Sequence, residues 1–123
     1  MRCREHGSGT VHVVTACLVL ATLALVAVQL AGLLALKHRV TAAADLAALA
    51  ASQAVESGAE GCAAASRVAD ANRATLSRCR LVGSVATVEV DATSERVLGR
   101  RWSVTRTARA APADFEAPRD RGP

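Results

Sequence analysis

The chain has 123 residues, enough for one small domain, and a formal net charge of +4. Its hydrophobic fraction is 51 %, yet Trp102 and Phe115 are its only aromatic residues, so Ala, Val and Leu supply the apolar surface. Because these side chains bury less area than aromatic rings, the composition argues against an ordinary globular core for the whole chain. It favours a membrane segment joined to a small soluble part.

The membrane segment lies between Val11 and Leu36, where there is no Asp, Glu, Lys or Arg. This run is longer than the roughly 20 residues that a helix needs to cross about 30 Å of hydrocarbon. It is also longer than the apolar region of a cleavable signal, which has about 7 to 15 residues. We therefore predict a transmembrane helix over 11–36 after a short cytoplasmic amino terminus over 1–10. Its threonine hydroxyls are expected to bond to the preceding helical turn.

Small residues recur at every fourth position in the predicted span, at Ala27, Ala31 and Ala35. Such a ladder permits close approach of a second helix in lipid. Gln29 is interpreted as a polar residue that the span tolerates, the alternative being an interhelical hydrogen bond beside the ladder that would make it a helix-packing residue.

Lys37, His38 and Arg39 are predicted to mark the membrane boundary at the lipid head groups. The next segment, 41–56, contains neither Gly nor Pro and is dominated by Ala, the best helix former. The helix is therefore expected to continue outside the membrane over 37–57.

Polar residues in this continuation recur at helical spacing, and Leu46 and Leu49 lie off their stripe. The predicted stripe consists of Thr41, Asp45, Ser52 and Glu56. Asp45 is a candidate for contact with a basic group of a neighbouring chain, the alternatives being a solvated charge or a link within the same helix.

Residues 58–110 are predicted to form a small headpiece made of a second helix and a sheet. That helix should run from Cys62 to Asn72, whose side chain suits a left-handed helix end. A strand follows, and the Gly-Ser pair after Val82 is a hairpin signal. Ala86, Val88 and Val90 should then face one side of the sheet, and Thr87, Glu89 and Asp91 the other. A third strand is expected from Arg101 to Ala110, and a disordered tail over 111–123.

Cys62 and Cys79 can form a disulfide if the helix ends between them. An unbroken helix would hold the two cysteines about 25 Å apart, whereas an extended segment that returns antiparallel brings Cys79 level with Cys62. Bridged cysteines persist in oxidising compartments. Since the charges on the two sides of the span nearly balance, the cysteines favour a cytoplasmic amino terminus and an extracytoplasmic remainder.

Catalysis and metal binding are not expected, because the three His residues lack Cys or carboxylate partners at metal spacing and no glycine-rich phosphate loop is present. No cofactor is predicted. Nucleic acid is not an expected partner either, since a binding patch would need aromatic side chains for stacking and Trp102 stands alone. The arginines near the third strand are expected to coat an edge strand or to contact anionic surfaces.

Several motifs occur together in chain order: "REHGSGT", the apolar span, "HRVTAAADLAALAAS", "CAAASRVADANRATLSRC" and "LVGSVATVEV". In this combination the chain resembles, from Gly7 to Ala110, the TadE-like family of actinobacterial pilin-like proteins, which are associated with Flp pilus assembly and Tad-type secretion. Pilins of this class are cut after a Gly and carry Glu five residues later, where this chain has His12 or Val14. The resemblance therefore does not imply processing or polymerisation.

The resemblance implies an α+β, pilin-like fold with a long amino-terminal membrane helix, a second short helix and an antiparallel sheet of about three strands. It also implies a single-pass protein of the plasma membrane that associates through its helix with other pilus-assembly or secretion components, or with copies of itself. The alternative is a membrane-anchored or exported binding protein, stapled by its disulfide, with no role in a pilus.

Overall fold

The computed structural model of the protein describes residues 8–97 and 99–116. Two helices, α1 (Ser8–Glu56) and α2 (Gly61–Ala71), precede three strands within these ranges. The strands are β1 (Thr75–Val82), β2 (Val85–Thr93) and β3 (Ser103–Ala110), and they form one antiparallel sheet in the order β1-β2-β3. The fold is therefore α+β, as predicted from the sequence.

Helix α1 has 49 residues and begins at Ser8, three residues before the predicted start of the span. It is long and apolar enough to cross a membrane. Its residues up to Leu34 belong to one compact unit of the chain, and a second unit begins at Ala35. Between residues 9 and 34 all side chains are exposed except Gln29 and Leu33, which are half-buried.

The core of the second unit is made from small side chains. The buried positions of α1 recur at spacings of three and four residues, which places them on one side of the helix. They pack with Val88 and Val90 of β2 and with Ala65 and Ala69 of α2 in one apolar cluster. The α1 members of this cluster are Leu36, Val40, Ala43, Ala44, Ala47, Ala48 and Ala51.

The predicted polar stripe on α1 is wrong at Ser52, which is 1 % exposed and lies inside the core. Its hydroxyl donates a hydrogen bond to the carbonyl oxygen of Ser84, at 2.7 Å, in the turn between β1 and β2. Leu46 and Leu49, by contrast, are exposed on the other side of α1. Beyond Val40 the helix therefore packs through its alanines and directs Leu46 and Leu49 outward.

Helix α2 ends where the sequence predicted, but the residue with the left-handed backbone is not Asn72. Asn72 has a φ of −98°, and its side-chain amide donates to the carbonyl of Val68 at 2.8 Å. The positive φ of 56° occurs one residue later, at Arg73. Asn72 thus ends the helix through its side chain, and Arg73 carries the reversal that leads into β1.

The hairpin between β1 and β2 has the predicted two-residue turn, with a positive φ of 60° at Gly83. On β2, Ala86, Val88 and Val90 are completely buried, whereas Thr87, Glu89 and Asp91 are half-buried on the opposite face, which confirms the predicted alternation. A register shift between Leu76 and Arg78 interrupts the pairing of β1 with β2.

The third strand starts at Ser103 rather than at Arg101. Before it, Ser94 and Trp102 pair through backbone and side-chain hydrogen bonds that close the connection from β2. Of the tail predicted over 111–123, the described part reaches residue 116 and contains a turn in which Phe115 N donates to Pro112 O. The rest of that prediction, and most of the predicted amino terminus over 1–10, lie outside the described residues.

The start of α2 approaches α1 so closely that only glycine fits at Gly61. A Cβ atom at this position would lie 2.8 Å from the carbonyl oxygen of Ala51 and 2.8 Å from Val55 Cγ2. We expect Gly61→Ala to lower the free energy of unfolding by about 1–3 kcal/mol, because a backbone carbonyl cannot move aside as a flexible side chain does. Pulse proteolysis with trypsin across a urea series, on the full chain in detergent micelles, measures this change.

The matched control is Ala63→Ser, a small change at an exposed position of the same helix. It should leave the urea midpoint almost unchanged. Equal midpoints for Gly61→Ala and the control would contradict the close approach of the two helices.

Candidate functional site

The predicted disulfide between Cys62 and Cys79 is present and joins α2 to β1, with the two Cα atoms 5.8 Å apart. Cys79 pairs in the sheet with Val88, whose side chain is fully buried. The bridge therefore lies on the helix-covered face of the sheet and clamps α2 against it. It is a structural element of the headpiece.

The predicted membrane boundary lies on α1 without any break in the helix. Lys37, His38 and Arg39 are all exposed, and the hydroxyl of Thr41 donates to the carbonyl of Lys37 at 3.0 Å. Asp45, the candidate for a neighbour contact, is exposed too and forms no ion pair with any described residue. Its carboxylate is therefore available to a neighbouring chain or to water.

The predicted packing ladder is exposed throughout, at Ala27, Ala31 and Ala35. Gln29 is half-buried and lies two positions from both Ala27 and Ala31 on the helix. Residues two apart point to different sides of an α-helix. Gln29 therefore does not lie beside the ladder, and the two features cannot serve the same neighbouring helix face.

The polar hydroxyls of the apolar segment are satisfied locally. Thr15 donates to the carbonyl of Val11 and Thr22 to that of Val19, both at 2.8 Å. This confirms the predicted bonding of threonine to the preceding turn and removes the cost of placing these hydroxyls in an apolar environment. Cys17 in the same segment is exposed and has a free thiol.

A mainly apolar stripe that the sequence analysis did not predict as a surface lies on the outside of α1. We call it the outer α1 face; it consists of Ala42, Leu46, Leu49 and Gln53, all exposed. At 100° per residue these four positions fall within one narrow sector of the helix. Leu46 is 48 % and Leu49 is 45 % exposed, so each retains apolar area that a second helix can cover.

The signal that identifies the packed side of α1 is present in the sequence. Alanine recurs at positions 43, 47 and 51 and again at 44 and 48, so that two adjacent rows of small residues run along the helix. Hydrophobicity alone favours the leucines as the packed side. Residue size, rather than hydrophobicity, distinguishes the two sides.

Neither family models, nor curated proteins, nor solved structures match this chain. Within residues 8–97 and 99–116 there is no cluster of three or more His, Cys, Asp or Glu side chains that could hold a metal ion. The TadE-like resemblance stays a prediction. We therefore infer the function from the exposed surfaces of the chain.

Removal of the disulfide should destabilise the headpiece. The bridge joins residues 17 apart, and a loop of this size contributes roughly 3 kcal/mol in the chain-entropy model. We expect the double variant Cys62→Ser/Cys79→Ser to unfold at a much lower urea concentration, as measured by pulse proteolysis. Cys17→Ser removes a free thiol and is the control. If both variants kept the wild-type midpoint, the bridge would contribute nothing to stability.

The assignment of the packed side of α1 is tested by two substitutions at adjacent positions. Ala47→Leu places extra volume in the core, where Ala47 is completely buried, and should cost about 1–3 kcal/mol or more of stability. Leu46→Ala shortens an exposed side chain and should change stability by less than about 0.5 kcal/mol. The same urea series measures both, and the reverse order of effects would contradict the observed orientation of the helix.

Proposed function

We propose that this chain is a single-pass membrane protein, a pilin-like component of Flp pilus assembly or Tad-type secretion. In this proposal α1 crosses the membrane with its amino terminus in the cytoplasm. It associates with the helix of a neighbouring component, while the disulfide-linked headpiece is displayed outside. The observation that carries the proposal is the outer α1 face, where Leu46 and Leu49 point away from the core of their own chain.

The energetics of this face fit association between chains that are anchored in one membrane better than association between chains free in solution. Full burial of a leucine side chain contributes about 1.5–3 kcal/mol, and Leu46 and Leu49 are about half exposed. Covering both therefore contributes only a few kcal/mol, which is too little for a stable dimer of soluble chains. Confinement of two helices to one membrane raises their effective concentration, and a weak contact then becomes sufficient.

The exposed alanine ladder supports the same proposal inside the lipid. Small side chains at Ala27, Ala31 and Ala35 permit the backbones of two helices to approach. Asp45, which has no ion pair among the described residues, supplies a charge that Lys37 or Arg39 of an adjacent copy can meet. The combination of a span, a ladder and an outward apolar face also agrees with the motif combination that resembles TadE-like proteins.

The test is photo-crosslinking in cells that express the full chain, with a benzophenone amino acid at position 46 or 49. We expect adducts that contain a second membrane protein of a pilus-assembly system or a second copy of the chain. The control places the same group at Thr41, which is exposed but lies on another side of α1. Equal adduct yields at all three positions, or none at 46 and 49, would argue against helix association.

A second variant separates the proposal from its alternative, a disulfide-stapled binding protein that uses α1 only as an anchor. The double variant Ala31→Leu/Ala35→Leu fills the ladder and should reduce the adduct at position 46 at least tenfold. Val26→Leu enlarges a residue on a different side of the helix and is the control. An unchanged adduct yield in the ladder variant favours the alternative.

A further inference from the structure

The face of the sheet opposite to the helices is exposed and has a defined arrangement of charge. We call it the open sheet face. Cross-strand pairing places Arg80 of β1 and Arg109 of β3 on either side of Thr87. The next row on this face consists of Arg78, Glu89 and Thr107. All three arginines are exposed, and neither Arg80 nor Arg109 forms an ion pair among the described residues.

The positive charge at the hairpin end of this face is weakly compensated. Arg78 Nε lies 3.9 Å from Glu89 Oε1, but the Arg78 side chain is 82 % exposed, so the contact is worth little in water. Asp91 lies four residues along β2 from Thr87, which is about 13 Å in a strand. That distance exceeds the Debye length of about 8 Å at physiological salt. Three arginines therefore face one nearby carboxylate.

The geometry suits an oxyanion. Adjacent strands lie about 4.8 Å apart, which places the Cα atoms of Arg80 and Arg109 roughly 10 Å apart across Thr87. Two guanidinium groups from these positions can converge above the Thr87 hydroxyl and donate paired hydrogen bonds to one carboxylate, sulfate or phosphate. Arg78 lies about 7 Å further along β1 and can meet the next charged group. A shallow open groove of about 570 Å³ lies on the β1–β2 side of this row, and its lining includes Arg78, Arg80 and Thr87.

The other side chains of the open sheet face indicate which class of anionic ligand it suits. It also carries the hydroxyls of Thr87 and Thr107, which hydrogen-bond in either direction, whereas the hydroxyl of Thr105 donates to Asp91. These cross-strand rows hold no aromatic side chain for a nucleic-acid base to stack on. Hydroxyl groups interspersed with arginines complement a linear glycan that carries acidic groups.

We propose that the open sheet face binds an acidic polysaccharide outside the cell, with Arg80, Thr87 and Arg109 clamping one acidic group and Arg78 contacting the next. Arginine on edge strands also discourages strand pairing, but that role does not require Arg80 and Arg109 to be level with the same threonine. The inference rests on the proposed display of the headpiece outside the cell but not on the proposed association through α1, which the crosslinking experiment tests separately.

The test measures binding of the full chain in detergent micelles at 150 mM salt to polygalacturonate and to heparin, with dextran as the neutral polymer. We expect submillimolar binding to at least one acidic polymer and none to dextran. Arg80→Gln/Arg109→Gln should weaken it at least tenfold. The control Arg100→Gln/Arg101→Gln removes the same charge from the connection before β3 and should change affinity less than threefold.

A charge-neutral variant tests the clamp itself. Thr87→Val keeps the strand preference and the net charge but removes the hydroxyl, and should weaken binding about three- to tenfold. Protection from trypsin verifies that each variant is folded. Equal losses in both arginine pairs, no effect of Thr87→Val, or no binding to either polymer would overturn the proposal. Tighter binding to single-stranded DNA, polyglutamate or vesicles of anionic lipid would also overturn it.

Discussion

The packing of α1 on the sheet through alanines is the constraint on which the headpiece depends. The chain has two aromatic residues, and both are exposed, so no large ring fills the space between helix and sheet. The space is filled instead by rows of alanine from α1 and by valines from β2. Because each of these side chains buries little area, stability requires close fit rather than bulk. The close contact at Gly61 is part of the same requirement.

Specific links supplement this thin core. Ser52 joins α1 to the hairpin turn at Ser84 through a hydrogen bond made inside the core, and the disulfide joins α2 to β1. Both connect elements that are distant along the chain, 32 and 17 residues apart. A small domain with limited apolar burial commonly relies on such staples. The Ser52 hydrogen bond thus ties one position of the helix to one position of the hairpin turn.

Much of the headpiece could be predicted from local patterns, because alternation along β2, the Gly83 turn and the cysteine spacing each specify geometry over a few residues. The orientation of α1 could not, because Leu46 and Leu49 rank above alanine in hydrophobicity and only the available space decides which side packs. The positive φ lies at Arg73 rather than at Asn72, whose side-chain amide instead donates a hydrogen bond to the carbonyl of Val68; such a detail is not visible in the sequence. Likewise, the alignment of distant arginines across the sheet depends on strand register, which composition does not reveal.

The two-layer arrangement of the second unit separates its two candidate surfaces. Since α1 meets the sheet through its alanines, the outer α1 face and the open sheet face point in opposite directions from one core. One surface is apolar and suits a helix, whereas the other is basic and rich in hydroxyls. A neighbour that covers Leu46 therefore leaves Arg80 and Arg109 accessible. With leucines packed inward, the helix would lose this apolar contact. Because α1 packs on the sheet through alanines, this small domain can associate with a helix on one side and bind a second partner on the other.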